Sequence, residues 1–119
     1  MNLAETESRE VVHAEFSDEG NACRLINEFG HQLKYLPAWN QWLIWDRTRW
    51  IEDRLMLVER LAAQCIAGMV EEAQDAQTDG RRVDLLKWAV RSHEARRLKN
   101  MVELAKPKVA ITPEVLERV

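Results

Sequence analysis

QWLIWDRTRWIE, residues 41–52, is the stretch on which the architecture turns. Gln41 to Asp46 is dense in aromatic and branched residues, the composition that suits a pleated, half-buried strand. Arg47-Thr48 then forms a tight connection to Arg49-Trp50-Ile51-Glu52, and the whole reads as a β-hairpin. Its turn lacks the Asn-Gly or Asp-Gly pair that two-residue hairpin loops favour. Just upstream, Leu33–Leu36 can add a short strand before Pro37, which no helix interior accepts. Ala38–Asn40 reads as the turn between them.

Working outward from the hairpin, the chain from Ser17 on reads as mostly helical. Ser17 is placed as an N-cap, with Asp18 and Glu19 at the positive end of the helix dipole. Ala22, Leu25, Ile26 and Phe29 supply the apolar stripe of this first helix, and Gly30 closes it. After the hairpin, residues 53–77 carry a long stripe of Val58, Leu61, Ala62, Cys65, Ile66, Met69 and Val70, ended by Thr78-Asp79-Gly80. A third helix is predicted over residues 82–91 with Leu85, Leu86, Ala89 and Val90 inward. Ser92 is the expected N-cap of a fourth, which runs to Lys106 on a stripe of Ala95, Leu98, Met101, Val102 and Ala105. Pro107 stops it. Thr112-Pro113-Glu114 opens a final helix of about two turns. The fold class is therefore mainly α (α+β): four to five helices with a small antiparallel hairpin or sheet after the first helix. Trp42 or Trp45 is expected against the long helix near Leu61 and Cys65.

At 119 residues the chain suits one domain with a single modest core. Its organisation reads as an acidic flexible arm over residues 1–15, a helical domain over 16–109, and a short C-terminal helix over 110–119. No apolar run is long enough to cross a bilayer, and the acidic start lacks the features of a signal peptide. The cytoplasm is the expected compartment, and a membrane is not an expected partner. Cys23 and Cys65 lie within helical patterns and are expected to pack as small apolar residues without a disulfide.

Tests for chemistry return nothing. The four glycines, at 20, 30, 68 and 80, cannot make a phosphate-binding loop. His13, His31, His93, Cys23 and Cys65 show no metal-ligand spacing, and no motif frames a nucleophile. Asp46, Glu52 and Asp53 read as a charged hairpin end. The chain is expected to be no enzyme and to need no cofactor or metal.

Two surface features remain. The net charge of −3 conceals a division: residues 1–80 carry 7 basic and 15 acidic side chains, whereas residues 81–108 carry 9 and 3. Within the basic part, Arg82, Lys87, Arg91, Arg96, Arg97 and Lys99 lie mostly off the apolar stripes. They read as a solvated helix surface, as contacts to DNA phosphates, or as a docking face for an acidic protein. Trp39, Trp42, Trp45 and Trp50 are interleaved with Lys34, Arg47 and Arg49. They read as core, as a stacking platform for single-stranded nucleic acid, or as a protein-binding patch.

Taken in order, FSDEGNA over Phe16–Ala22, KYLP over Lys34–Pro37, WLIWDRTRW over Trp42–Trp50 and the segment Lys87–Pro107 resemble the domain that precedes the helicase in phage/plasmid and poxvirus-type primase–helicases. The likeness spans Phe16 to about Val109. Arg47 stands where that family usually has glycine, so the turn must differ or be strained. The resemblance implies a non-catalytic accessory domain ahead of a ring-forming helicase, acting in assembly and in guiding single-stranded DNA. Its expected partners are a helicase or primase module or another replication protein, single-stranded DNA, and further copies of itself. The alternative is a freestanding small phage protein that regulates or inhibits a nucleic-acid machine.

Overall fold

The computed structural model describes residues 15–118. The acidic arm expected over 1–15 therefore lies, apart from Glu15, outside the described residues. Eight elements follow in order. Helix α1 spans Asp18–Phe29, strands β1 Leu33–Leu36, β2 Gln41–Trp45 and β3 Trp50–Glu52. Helices α2 Leu57–Gln74, α3 Asp79–Ser92, α4 Ala95–Ala105 and α5 Pro113–Leu116 complete the chain. The mainly helical class with a small sheet after the first helix is as the sequence indicates.

The strands form one antiparallel sheet in the order β1-β2-β3. Its register sets Tyr35 opposite Trp42, Leu33 opposite Ile44, and Trp45 opposite Trp50. Because side chains alternate across a strand, Leu33, Tyr35, Trp42 and Ile44 face the helices and join one core with Ala22, Leu25, Val58, Cys65, Ile66, Met69, Trp88 and Met101. Trp42 is thus the tryptophan that packs against the long helix, as expected of one of the pair, and its ring lies 5.3 Å from that of Tyr35. The opposite face holds Lys34, Leu36, Leu43, Trp45, Trp50 and Glu52. Residues 109–111 run along β1, with Tyr35 donating to the Val109 carbonyl and Ile111 donating to that of Tyr35. That pairing covers an edge that would otherwise be open to other chains.

Several helix boundaries depart from the sequence reading, each for a physical reason. Ser17 does cap α1, its hydroxyl accepting from the Gly20 N–H at 2.9 Å. Gly30, in contrast, keeps a right-handed backbone and passes into a turn of 3-10 helix. Glycine is needed there for space: a Cβ would lie 2.9 Å from Ile26 Cγ2. Helix α2 starts at Leu57 rather than at 53, because Asp53 is still bonded to Trp42 of the sheet. The Asp53 carboxylate then reaches ahead to accept from the Leu57 and Val58 N–H groups at 2.9 and 3.0 Å. Helix α3 begins at Asp79 under a Thr78 cap, which makes Thr78 a start signal as well as a stop. Helix α5 is a single turn capped by Thr112, shorter than the two turns expected.

The largest departure is the rotation of α3. Leu85 and Ala89 are buried as expected, but Trp88 and Ser92 take the places assigned to Leu86 and Val90. Ser92 caps nothing. It is the last residue of α3, fully buried, and receives a hydrogen bond from the Asn21 amide at 3.0 Å. The Asn21 carbonyl oxygen in turn accepts from the Trp88 indole at 2.8 Å. One buried amide on α1 thus satisfies two groups on α3, and α4 starts afresh at Ala95. Ala95, expected inward, is exposed in consequence.

Asn21→Ala should lower the unfolding free energy by about 2–4 kcal/mol, since a buried donor left without its partner costs about 1–3 kcal/mol and a second bond goes with it. Denaturant titration measures this; a decrease below about 0.5 kcal/mol would contradict the role assigned to Asn21.

Candidate nucleic-acid interface

The structure separates the cations that are held by acids from those that are not. Arg24 and Arg81 are tied into one network: Glu15 pairs with both, at 3.0 and 2.7 Å, and Glu72 receives Arg24 at 2.6 Å. Arg82, one of the six basic candidates, pairs with Asp79 at 3.0 Å and donates to the Ala73 carbonyl. Arg97 is more deeply committed. It bonds Asp18 at 3.1 Å and lies over the Trp88 ring at 5.0 Å, with its side chain only 18% exposed. It therefore fastens α4 to α1 instead of facing solvent. Arg91 covers the other part of Trp88 at 5.9 Å. Lys87, Arg96 and Lys99 remain exposed without an ion-pair partner among the described residues. On α4, Arg96 and Lys99 are three positions apart and share the outward face.

The face of α3 turned away from the core is apolar. Val83, Leu86 and Val90 recur at helical spacing there and are 45%, 38% and 72% exposed, with Lys87 among them. This helix is apolar on both sides, and one side has no partner among the described residues.

The four hairpin tryptophans divide. Trp42 belongs to the core, while Trp39, Trp45 and Trp50 lie on the outer side of the sheet. Trp45 and Trp50 meet across the hairpin with ring centroids 5.3 Å apart, and Lys34 sits 4.9 Å from the Trp50 ring. A cleft of about 410 Å³ opens beside them, walled by Trp39, Leu43, Arg49 and Leu116. Leu116 arrives there because residues 109–111 carry α5 across the sheet. Nothing in the sequence pattern of residues 109–111 signals that route.

The hairpin turn is held by Asp46, whose carboxylate accepts from the Thr48 N–H, the Thr48 hydroxyl and the Arg49 N–H at 2.8–2.9 Å. The Thr48 backbone N–H, and then that of Arg49, hold its carboxyl below the ordinary aspartate range. Arg47 sits at φ 87°, a backbone region that favours glycine. The strain expected at this position is thus present, at a cost of about 1–3 kcal/mol for a non-glycine residue.

Burial, reinforced by Glu28, pushes the Cys65 thiol up to about 12, which removes its reactivity at neutral pH. Cys23, expected to pack inward, is exposed. His93 sits at the end of α3 with Nδ1 3.0 Å from the Ala89 carbonyl oxygen. Among the described residues no group of three or more His, Cys, Asp or Glu is placed to hold a metal ion, and no helix is long and apolar enough to cross a membrane.

A family model described as D5 N terminal like matches residues 22–118. The chain belongs to that family. It is the N-terminal type of domain found in D5-type primase–helicases, and its general role is that of a replication accessory domain. The matched span takes in the sheet, α2 to α5 and most of α1. No curated protein and no solved structure matches the chain.

The network around Glu15 has a pH signature. The hydrogen bond from Arg81 lowers the Glu15 carboxyl below the ordinary glutamate value. A depressed folded-state value adds stability that is complete above the unfolded value and is lost as pH falls through the folded one. Glu15→Gln should therefore flatten part of the stability decline between about pH 5 and pH 3, and leave the slope near neutral pH unchanged. Identical acid profiles for variant and parent would contradict this.

Proposed function

We propose that this D5 N-terminal-like domain is a non-catalytic docking and strand-guiding module of a primase–helicase. Its α3 outward face seats it on the helicase or primase module or another replication protein. Lys87, Arg96 and Lys99 steady the backbone of single-stranded DNA passing toward the motor. The observation that carries the docking reading is the exposure of Val83, Leu86 and Val90 on a helix already buried on its other side. A contiguous apolar helix face of this kind is characteristic of a contact surface. Phosphate contacts need positioned cations and no base reading, which suits exposed lysines and arginines with no acidic partner among the described residues. Family membership supplies the replication setting.

Leu86→Glu with Val90→Glu should weaken association with a D5-type helicase motor by at least about tenfold, or about 1.4 kcal/mol. Circular dichroism should be unaltered, since both side chains are exposed. Arg96→Glu with Lys99→Glu should weaken binding to oligothymidylate and reduce its salt dependence by about 0.7 in logarithmic slope for each phosphate no longer neutralised. Association equal to the parent in the first variant removes α3 as the docking face. DNA binding equal to the parent in the second removes the α4 cations.

A further inference from the structure

Three hollows follow one another along the β2–β3 hairpin, and neither the α3 face nor the α4 cations use them. The first, about 350 Å³, is lined by His31, Gln32, Trp45, Asp46 and Arg47. The second is the cleft of about 410 Å³ between Trp39, Trp45 and Trp50. The third, about 390 Å³, lies among Arg49, Trp50, Glu52 and Arg54. Trp45 borders the first two, and Trp50 with Arg49 borders the last two. A tryptophan edge therefore separates each hollow from the next, and each hollow has an arginine at its rim.

We infer that this hairpin is a stacking track for single-stranded nucleic acid, in which unpaired bases enter the hollows against Trp39, Trp45 and Trp50 while Arg47 and Arg49 meet the phosphates. The inference rests on the strand-guiding reading and assigns it a site. Aromatic faces alternating with cations are what a single strand requires, because every base has a π-face and every link a negative charge. The acids nearby do not cancel the arginines. Asp46 is spent on the turn, accepting three bonds, and Glu52 pairs with Arg54 at 3.2 Å. Arg49 keeps only a long 3.7 Å contact to Asp46, with its side chain 79% exposed. Arg47 has no acidic partner among the described residues, and it holds a backbone conformation that glycine would adopt without strain. A charged side chain at a strained position, with no ion-pair partner among the described residues, is left available to a ligand. Trp39 is 57% exposed, a large apolar surface left open beside the same cleft.

Arg47→Gly separates the possibilities, because it relieves the backbone and removes the cation together. Binding of the full chain to a fluorescein-labelled oligothymidylate of about fifteen nucleotides is followed by anisotropy at low salt. Arg47→Gly should bind at least about fivefold more weakly than the parent, with a logarithmic salt slope smaller by about 0.7, while its thermal midpoint is unchanged or raised. Trp39→Ala, at an exposed site, should also weaken binding at least about fivefold. If both variants bind as the parent does while Arg96→Glu with Lys99→Glu abolishes binding, the track is overturned and the strand-guiding reading stands. If the parent binds no oligonucleotide, both are overturned. If both variants keep DNA binding and lose the helicase motor, the hairpin is a protein contact and the track is overturned.

Discussion

The Asn21 side chain is buried between α1 and α3, where it can be satisfied only by groups brought from another element. Trp88 and Ser92 supply them, one donating to its oxygen and one accepting from its amide. A buried amide without partners would be costly, so the pairing admits one rotation of α3. Packing alone would not choose so sharply. Val83, Leu85, Leu86, Trp88, Ala89 and Val90 lie all round the helix, and a turn about its axis would exchange one apolar set for another. With Trp88 inward, Arg97 stacks on the indole and reaches Asp18, which draws α4 onto α1. The same rotation leaves Leu86 and Val90 outside. The proposed docking face is therefore a consequence of how the core is pinned.

The sheet divides its tryptophans in a comparable way. Alternation along β2 sends Trp42 and Ile44 to the helices and Leu43 and Trp45 to the other side. A three-stranded sheet with one face on the core needs a cover on the second face or exposes it. Here α5 covers part of that face through Leu116, while Leu36 and Leu43 are buried and Trp39 and Trp45 stay open. The open ring of Trp45 borders the strained turn at Arg47, so aromatic surface and a charge without an ion-pair partner among the described residues lie together there.

Much of this was legible in the sequence. Strand composition and Pro37 locate the sheet, Ser17 and Thr112 mark true caps, and the stripes of α2 and α4 predict buried Val58, Ala62, Cys65, Met101 and Val102. The phase of α3 was not legible, because it depends on a bond between residues 67 positions apart. Ser92 has the composition of a cap and the environment of a core residue. Among the cations, Arg97 and Arg96 are neighbours in sequence with opposite fates, since only one points toward Asp18. The outer cleft was legible only as a cluster of tryptophans, because its far wall comes from the C-terminal turn.

Five tryptophans distributed over two environments open the stacking track to one direct measurement. Each indole N–H gives its own proton resonance, so a titration of the chain with oligothymidylate reads all five sites at once. Trp42, enclosed in the core, serves as the internal control. The resonances of Trp39, Trp45 and Trp50 should shift together with a single affinity while that of Trp42 stays in place. Shifts confined to Trp88, beside Arg91 and Arg97, or no shift in the three hairpin indoles at saturating oligonucleotide, would contradict the assignment of the hairpin as the strand's path.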